Sequence, residues 1–239
     1  MSSFNLNSYN PADINAVDVQ REQAAFMTRV YMWMSVALSI TGGMAYYVAG
    51  TPEILNIIFS STIVLIVLVV LQIGLVMYLT RSMNALRATT ATALFLLYAA
   101  LNGLLFSSIF IIYTESSIAS TFLITAGTFA IMSAYGYFTK SDLTRIGNLC
   151  MMALIGLILA SVVNIFWNNE TLYWICTYVG VLIFVALVAY DTQKVKQLNV
   201  IGNEGTEADK KESIMGALIL YLDFINLFLY LLRIFGKRK

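Results

Sequence analysis

Seven apolar runs fill most of this chain, at residues 30–49, 54–80, 88–113, 117–138, 148–167, 172–190 and 214–235. A helix of about twenty residues rises roughly 30 Å, the thickness of a bilayer's hydrocarbon core, so each run is long enough to span. The chain therefore reads as an all-α membrane protein, a seven-transmembrane-helix bundle. Residues 1–29 form an N-terminal tail ahead of it, residues 30–236 the bundle, and residues 237–239 a basic C-terminal tail. The charged fraction agrees, at 11% against the ~25% of soluble domains. Most connections are turn-like, such as Thr51-Pro52-Glu53 and Asn168-Asn169-Glu170. The exception, residues 192–213, has mixed charge and two glycines, and reads as a flexible connector.

Within these runs one acid stands out. Asp223 lies near the middle of the last run, in Leu220-Tyr221-Leu222-Asp223-Phe224-Ile225-Asn226. A carboxylate at that depth costs at least ~2.5 kcal/mol to insert, so it is expected to face protein or water rather than lipid. Helical projection puts Gly216, Asp223, Asn226 and Tyr230 on one face, a polar stripe of the kind that lines a cavity or a buried network. Asp191 closes the sixth run in Tyr190-Asp191-Thr192-Gln193. By itself it reads as half of an exposed helix-end pair with Lys194, three residues on. Packed against the stripe it would instead give Asp223 a partner. Two carboxylates in contact cannot both ionise cheaply, and they titrate as a unit. The expectation is that they share a proton that latches two helices, and that losing the proton separates them. Depth opposes this pairing, because Asp223 lies about nine residues further into its run, roughly 13 Å.

Histidine is absent, which excludes histidine-based zinc sites and nucleophilic pairs and leaves carboxylates to carry any pH response. The two cysteines, Cys150 and Cys176, sit inside apolar runs and read as small core residues. Net charge is +1 with no basic block outside the tails, so nucleic acid is not an expected partner. Residues 1–20 are polar and lack the features of a secretory signal, and read as a disordered or loosely docked tail. Ser35, Ser39 and Gly43, and likewise Gly156, Ala160 and Asn164, recur every fourth residue and predict close helix packing.

Lysine and arginine set the orientation. They occur before the first run (Arg21, Arg29) and in the second, fourth and sixth loops, and are missing from the first, third and fifth. The N-terminus is therefore expected in the cytoplasm. The C-terminus breaks the pattern, because Arg233, Lys237, Arg238 and Lys239 crowd the end that seven crossings would place outside. Either the last segment is exported against its charge or it turns back.

Tyr190-Asp191-Thr192-Gln193, the stretch 218–228 around Asp223, and Leu231-Leu232-Arg233 resemble the Bax-inhibitor (transmembrane Bax-inhibitor-motif) family. Ser141-Asp142-Leu143-Thr144 and Val163-Asn164-Ile165-Phe166 are similar as well, and the resemblance runs across residues 30–236. It implies that the last helix is central and wrapped by the other six. It also implies a pH-sensitive calcium leak governed by a di-aspartyl pair, carried over to Asp191 and Asp223, with calcium bound weakly in transit and no tightly held cofactor. An arginine near the end of the family's second helix acts as a latch, and Arg81 occupies that place. Tail and loop composition point to a bacterial member, hence the inner membrane. Some bacterial relatives act through contacts with a membrane protease or quality-control factor, which is the alternative reading. An intramembrane aspartyl protease is a remote third. That family has Gly-x-Gly-Asp at its second aspartate and a later Pro-Ala-Leu, whereas Asp223 follows Leu220-Tyr221-Leu222 and the prolines here are Pro11 and Pro52.

Overall fold

The computed structural model describes residues 16–83 and 85–239. They form eight α-helices and no strand beyond one isolated bridge. In chain order these are α1 (Ala16–Ala49), α2 (Pro52–Phe59), α3 (Thr62–Ser82), α4 (Ala88–Ile112), α5 (Glu115–Phe138), α6 (Thr144–Trp167), α7 (Glu170–Leu198) and α8 (Glu207–Phe235). Six of them, α3 to α8, are long and apolar enough to cross a membrane.

Two differences from the seven expected spans have local causes. The run 54–80 is broken at Ser60-Ser61 into α2, which starts at Pro52, and α3. Proline suits a first helical turn because the N–H it lacks has no partner there. The run 30–49 lies in α1, but Ser35, Ser39, Thr41 and the pair Gly42-Gly43 dilute its apolar character below that of the other six. Helix α1 also begins at Ala16, inside the stretch expected to be a tail, while residues 1–15 lie outside the described ones.

Helix α8 is the core. In its most apolar stretch 67% of residues are buried, against 11% in α3 and in α6. It packs against α1, α4, α5 and α7, rather than against all six other spans, while α6 packs on α7 and α3 on α4. Tyr221, Leu218, Leu220 and Leu227 are fully enclosed. Aromatic rings fill the gaps, with Tyr221 edge-on to Phe95 and Tyr98, and Phe224 against Phe122 and Phe129.

The small-residue stripes do not make the close approaches. Ser35, Ser39, Gly43 and Gly156 are exposed, and a methyl group added at Gly43 or Gly156 meets nothing within 4 Å. Close packing occurs instead at Gly136, where such a methyl would lie 2.1 Å from the Ala189 carbonyl oxygen, and at Gly103, 2.7 Å from that of Thr41.

The start of α1 and the C-terminal tail lie at opposite poles. Arg29 of α1 pairs with Asp209 at the start of α8, so α1 and α8 begin at one pole. After α8 the tail runs beside the α4–α5 junction, where Thr114 N–H donates to the Lys237 carbonyl and Lys239 N–H to that of Ile112, both at 2.9 Å.

Candidate functional site

Helices α7 and α8 run antiparallel, and one seam between them fixes the site. At one end Gly216 lies against Val195, and a methyl group there would be 2.7 Å from its Cγ1. At the other end Phe184 stacks on Tyr230, with ring centroids 5.7 Å apart. Asp191 comes seven residues after Phe184 and Asp223 seven before Tyr230, so the two pairs recur two turns apart on the same seam. The carboxyl groups of Asp191 and Asp223 face each other there across the seam, close enough to interact. The depth offset is absorbed in two ways. Helix α8 starts at Glu207, seven residues before its apolar run, and Gly216 lets α7 come close. In addition, Cα–Cβ bonds tilt toward a helix's N-terminus, so in an antiparallel pair the two side chains lean toward each other along the seam.

Asp223 is 6% exposed, and its Oδ2 is buried without a protein partner. Asp191 is half-buried. The Asp191–Lys194 pair suggested by spacing does not form. Lys194 Nζ lies over the Tyr190 ring instead, 5.7 Å from its centroid, and makes no ion pair among the described residues. Of the remaining stripe residues, Asn226 donates its amide to the Leu222 carbonyl at 2.8 Å and Tyr230 carries the Arg233 guanidinium on its face. Arg81 is exposed at the end of α3, with no hydrogen bond or ion pair among the described residues, and does not reach the aspartates' seam.

The residues flanking Asp191 tie the end of α7 to three other helices. The Tyr190 ring fills the space that a side chain at Gly147 of α6 would take. Thr192 hydrogen-bonds Ser133 of α5 at 2.9 Å, and Ser133 in turn bonds the Tyr31 hydroxyl of α1. Gln193 accepts from Leu143 N–H and donates to the Ser141 carbonyl, both at 2.9 Å. The motifs at 141–144 and 190–193 are thus two halves of one contact. Asp142 completes it by accepting from the Thr144 hydroxyl and backbone N–H, bonds that hold its carboxyl below the usual carboxylate range. A cavity of about 470 Å³ between α1 and α5 reaches Tyr31 and Ser133.

One ionic cluster has no counterpart in the sequence reading. Both oxygens of Asp209, which is 1% exposed, accept from Arg29 Nη2, at 2.7 and 3.0 Å. Gly205 N–H donates to the same carboxylate, and Glu204 lies 3.5 Å from the Arg29 guanidinium. The cluster fastens the beginning of α8 to α1. Arg29 and Asp209 are 180 residues apart, and a single sequence gives no reason to pair a tail arginine with a loop aspartate.

Comparison with known proteins places the chain. Residues 23–239 match the family model described as inhibitor of apoptosis-promoting Bax1. The inner membrane protein YbhL of Escherichia coli is 51% identical over 215 residues, covering 90% of this chain and 92% of that one. An uncharacterized protein of Borreliella burgdorferi is 44% identical over 214 residues, and one from Caulobacter vibrioides is 35% identical over 237. With an all-helical fold built on an aspartate-bearing core helix and a family match running from α1 to Lys239, the chain belongs to the Bax-inhibitor family of integral membrane proteins.

Proposed function

We propose that this protein is a pH-sensitive cation leak of the bacterial inner membrane, with calcium as the permeant ion and Asp191 and Asp223 as its gate. The observation that carries the reading is the juxtaposition of these two carboxyl groups on the α7–α8 seam. In a desolvated setting two touching carboxylates repel strongly when both are ionised, so one bridging proton holds them together. Its loss leaves two negative charges that push α7 and α8 apart. Lys194 and Cys150 are within electrostatic reach of Asp191.

Separated carboxylates suit a hard cation in passage. Calcium takes 6 to 8 oxygen ligands in a tight site, whereas two carboxylates offer at most about four, enough for transient binding. In this reading α2 and α3 share one crossing, which makes seven in all. In this reading the protein passes an ion without transforming it, so it acts without catalysis. Arg81 could contribute as a latch only after a movement that brings it to the seam.

The test is calcium entry into liposomes containing the purified protein, measured across pH. In the wild type, flux rises with pH by up to about tenfold per pH unit, the limit for a gate that releases one proton. Asp191→Asn and Asp223→Asn each keep a neutral hydrogen-bonding group and remove the shared proton, so both give low flux with a flat profile. An unchanged profile in both variants would remove the aspartates from gating. Function in cells that survives loss of both would favour action through contacts with a membrane protease or quality-control partner.

A further inference from the structure

The basic C-terminal pole is not used by the gate, and it has the features of a binding site. A cavity of about 540 Å³ opens there between the α6–α7 junction and the tail, with Asn168, Asn169, Trp174, Arg233 and Arg238 among its walls. A second cavity of about 520 Å³ shares Asn164, Asn168, Tyr173 and Arg233 with the first and continues along Ile158, Val162 and Ile165. Together they make a polar head with an apolar arm, joined at Arg233.

The cations are held in place. The Arg233 guanidinium lies 5.1 Å from the Tyr230 ring centroid and 5.6 Å from that of Tyr173. Arg238 is the residue that bridges to Tyr113, so its backbone is pinned beside the α4–α5 junction. Neither arginine makes an ion pair among the described residues. Glu170 is the one acid on the cavity wall, which leaves the head net positive. Planar guanidinium groups with free donors match phosphate oxygens in pairs, and a neighbouring Trp and Tyr suit the headgroup level of a bilayer.

We propose that this pole binds one anionic phospholipid, its phosphate against Arg233 and Arg238 and one acyl chain along Ile158, Val162 and Ile165. Charge complementarity selects the headgroup, and the apolar arm distinguishes a lipid from a soluble anion.

Native mass spectrometry of the delipidated protein, titrated with phosphatidylglycerol or phosphatidylethanolamine, reads the lipids bound per chain. The first phosphatidylglycerol is expected to bind about tenfold more tightly than phosphatidylethanolamine, the scale of one charge-assisted contact. Arg233→Gln and Arg238→Gln each remove most of that preference. Both side chains are exposed, so neither change disturbs the core. Arg145→Gln, at an exposed position on the opposite pole, leaves the preference intact. Val162→Trp, which fills the apolar arm, weakens both lipids and keeps their ratio. Three outcomes would overturn the proposal. Equal affinity for the two lipids removes the headgroup site. An equal loss in Arg145→Gln means diffuse surface charge. Full displacement of the lipid by inorganic phosphate, with Val162→Trp without effect, means a simple anion site.

Discussion

The hydroxyl of Thr41 has one hydrogen and three oxygen neighbours, the carbonyls of Ala37 and Ala99 and the phenol of Tyr221, at 3.0, 2.8 and 2.8 Å. Carbonyls only accept, so Thr41 donates to one of them and Tyr221 donates to Thr41. The contact ties the core helix to α1 and α4, and its two ends are not equivalent. Tyr221→Phe deletes a donor whose acceptor stays satisfied and is expected to cost about 1 kcal/mol. Thr41→Val strands a phenol inside the core and is expected to cost up to ~3 kcal/mol. Thermal unfolding in detergent should therefore rank Thr41→Val below Tyr221→Phe, and the reverse order would mean that water reaches the phenol. The same accounting explains which site residues the sequence exposed. Asp223 was legible because an acid in the middle of an apolar run has a cost that needs an explanation. Arg29 and Asp209 were not, because each sits in a stretch where charge is ordinary and only the fold brings them together.

At the level of elements, α7 and α8 are held differently near the aspartates. The residues on either side of Asp191 engage α1, α5 and α6 through Thr192, Gln193 and Tyr190. The start of α8 is fastened through Asp209 to α1. Helix α5 approaches α7 closely at Gly136, and this gives a sharp contrast between two glycines. Gly136→Ala puts a methyl group into the Ala189 carbonyl, a backbone atom that cannot turn aside. Overpacking of that kind is expected to cost about 1–3 kcal/mol. Gly156→Ala meets nothing and, in mid-helix, is expected to be neutral or to stabilise by up to ~1 kcal/mol. Melting temperatures of the two variants measure the difference, and equal values would mean that the α5–α7 contact is looser than described. Spacing alone pointed to the wrong glycines because a stripe at every fourth residue records one face of a helix without saying what the face meets. The lengths of the elements were legible where apolar runs were uniform. They failed where Ser60-Ser61 interrupts a run without a charge or proline to mark the break.

For the whole molecule, the two poles decide how the chain lies in the membrane. Arg21 and Arg29 precede the first apolar run, and the four lysines of the 192–213 connector belong to the same pole, where Arg29 meets Asp209. The positive-inside rule predicts that this pole faces the cytoplasm. The tail is then expected on the other side, although Arg233, Lys237, Arg238 and Lys239 lie there. These charges are partly engaged in ways that make the exposed position tolerable. Arg233 lies on two tyrosine rings, Lys239 Nζ donates to the Phe110 carbonyl at 2.8 Å, and the tail backbone is bonded to Ile112 and Thr114. By the same rule the ten remaining basic residues are expected to outweigh them, since orientation follows the bias summed over short loops. A green fluorescent protein fused after Lys239 should then be dark in cells and an alkaline phosphatase fused there active, because the first folds in the cytoplasm and the second outside it. The opposite pair of signals would require α8 to end on the cytoplasmic side. Because the start of α1 and the tail lie at opposite poles, that result would turn the whole molecule over and put the Arg29–Asp209 pole outside.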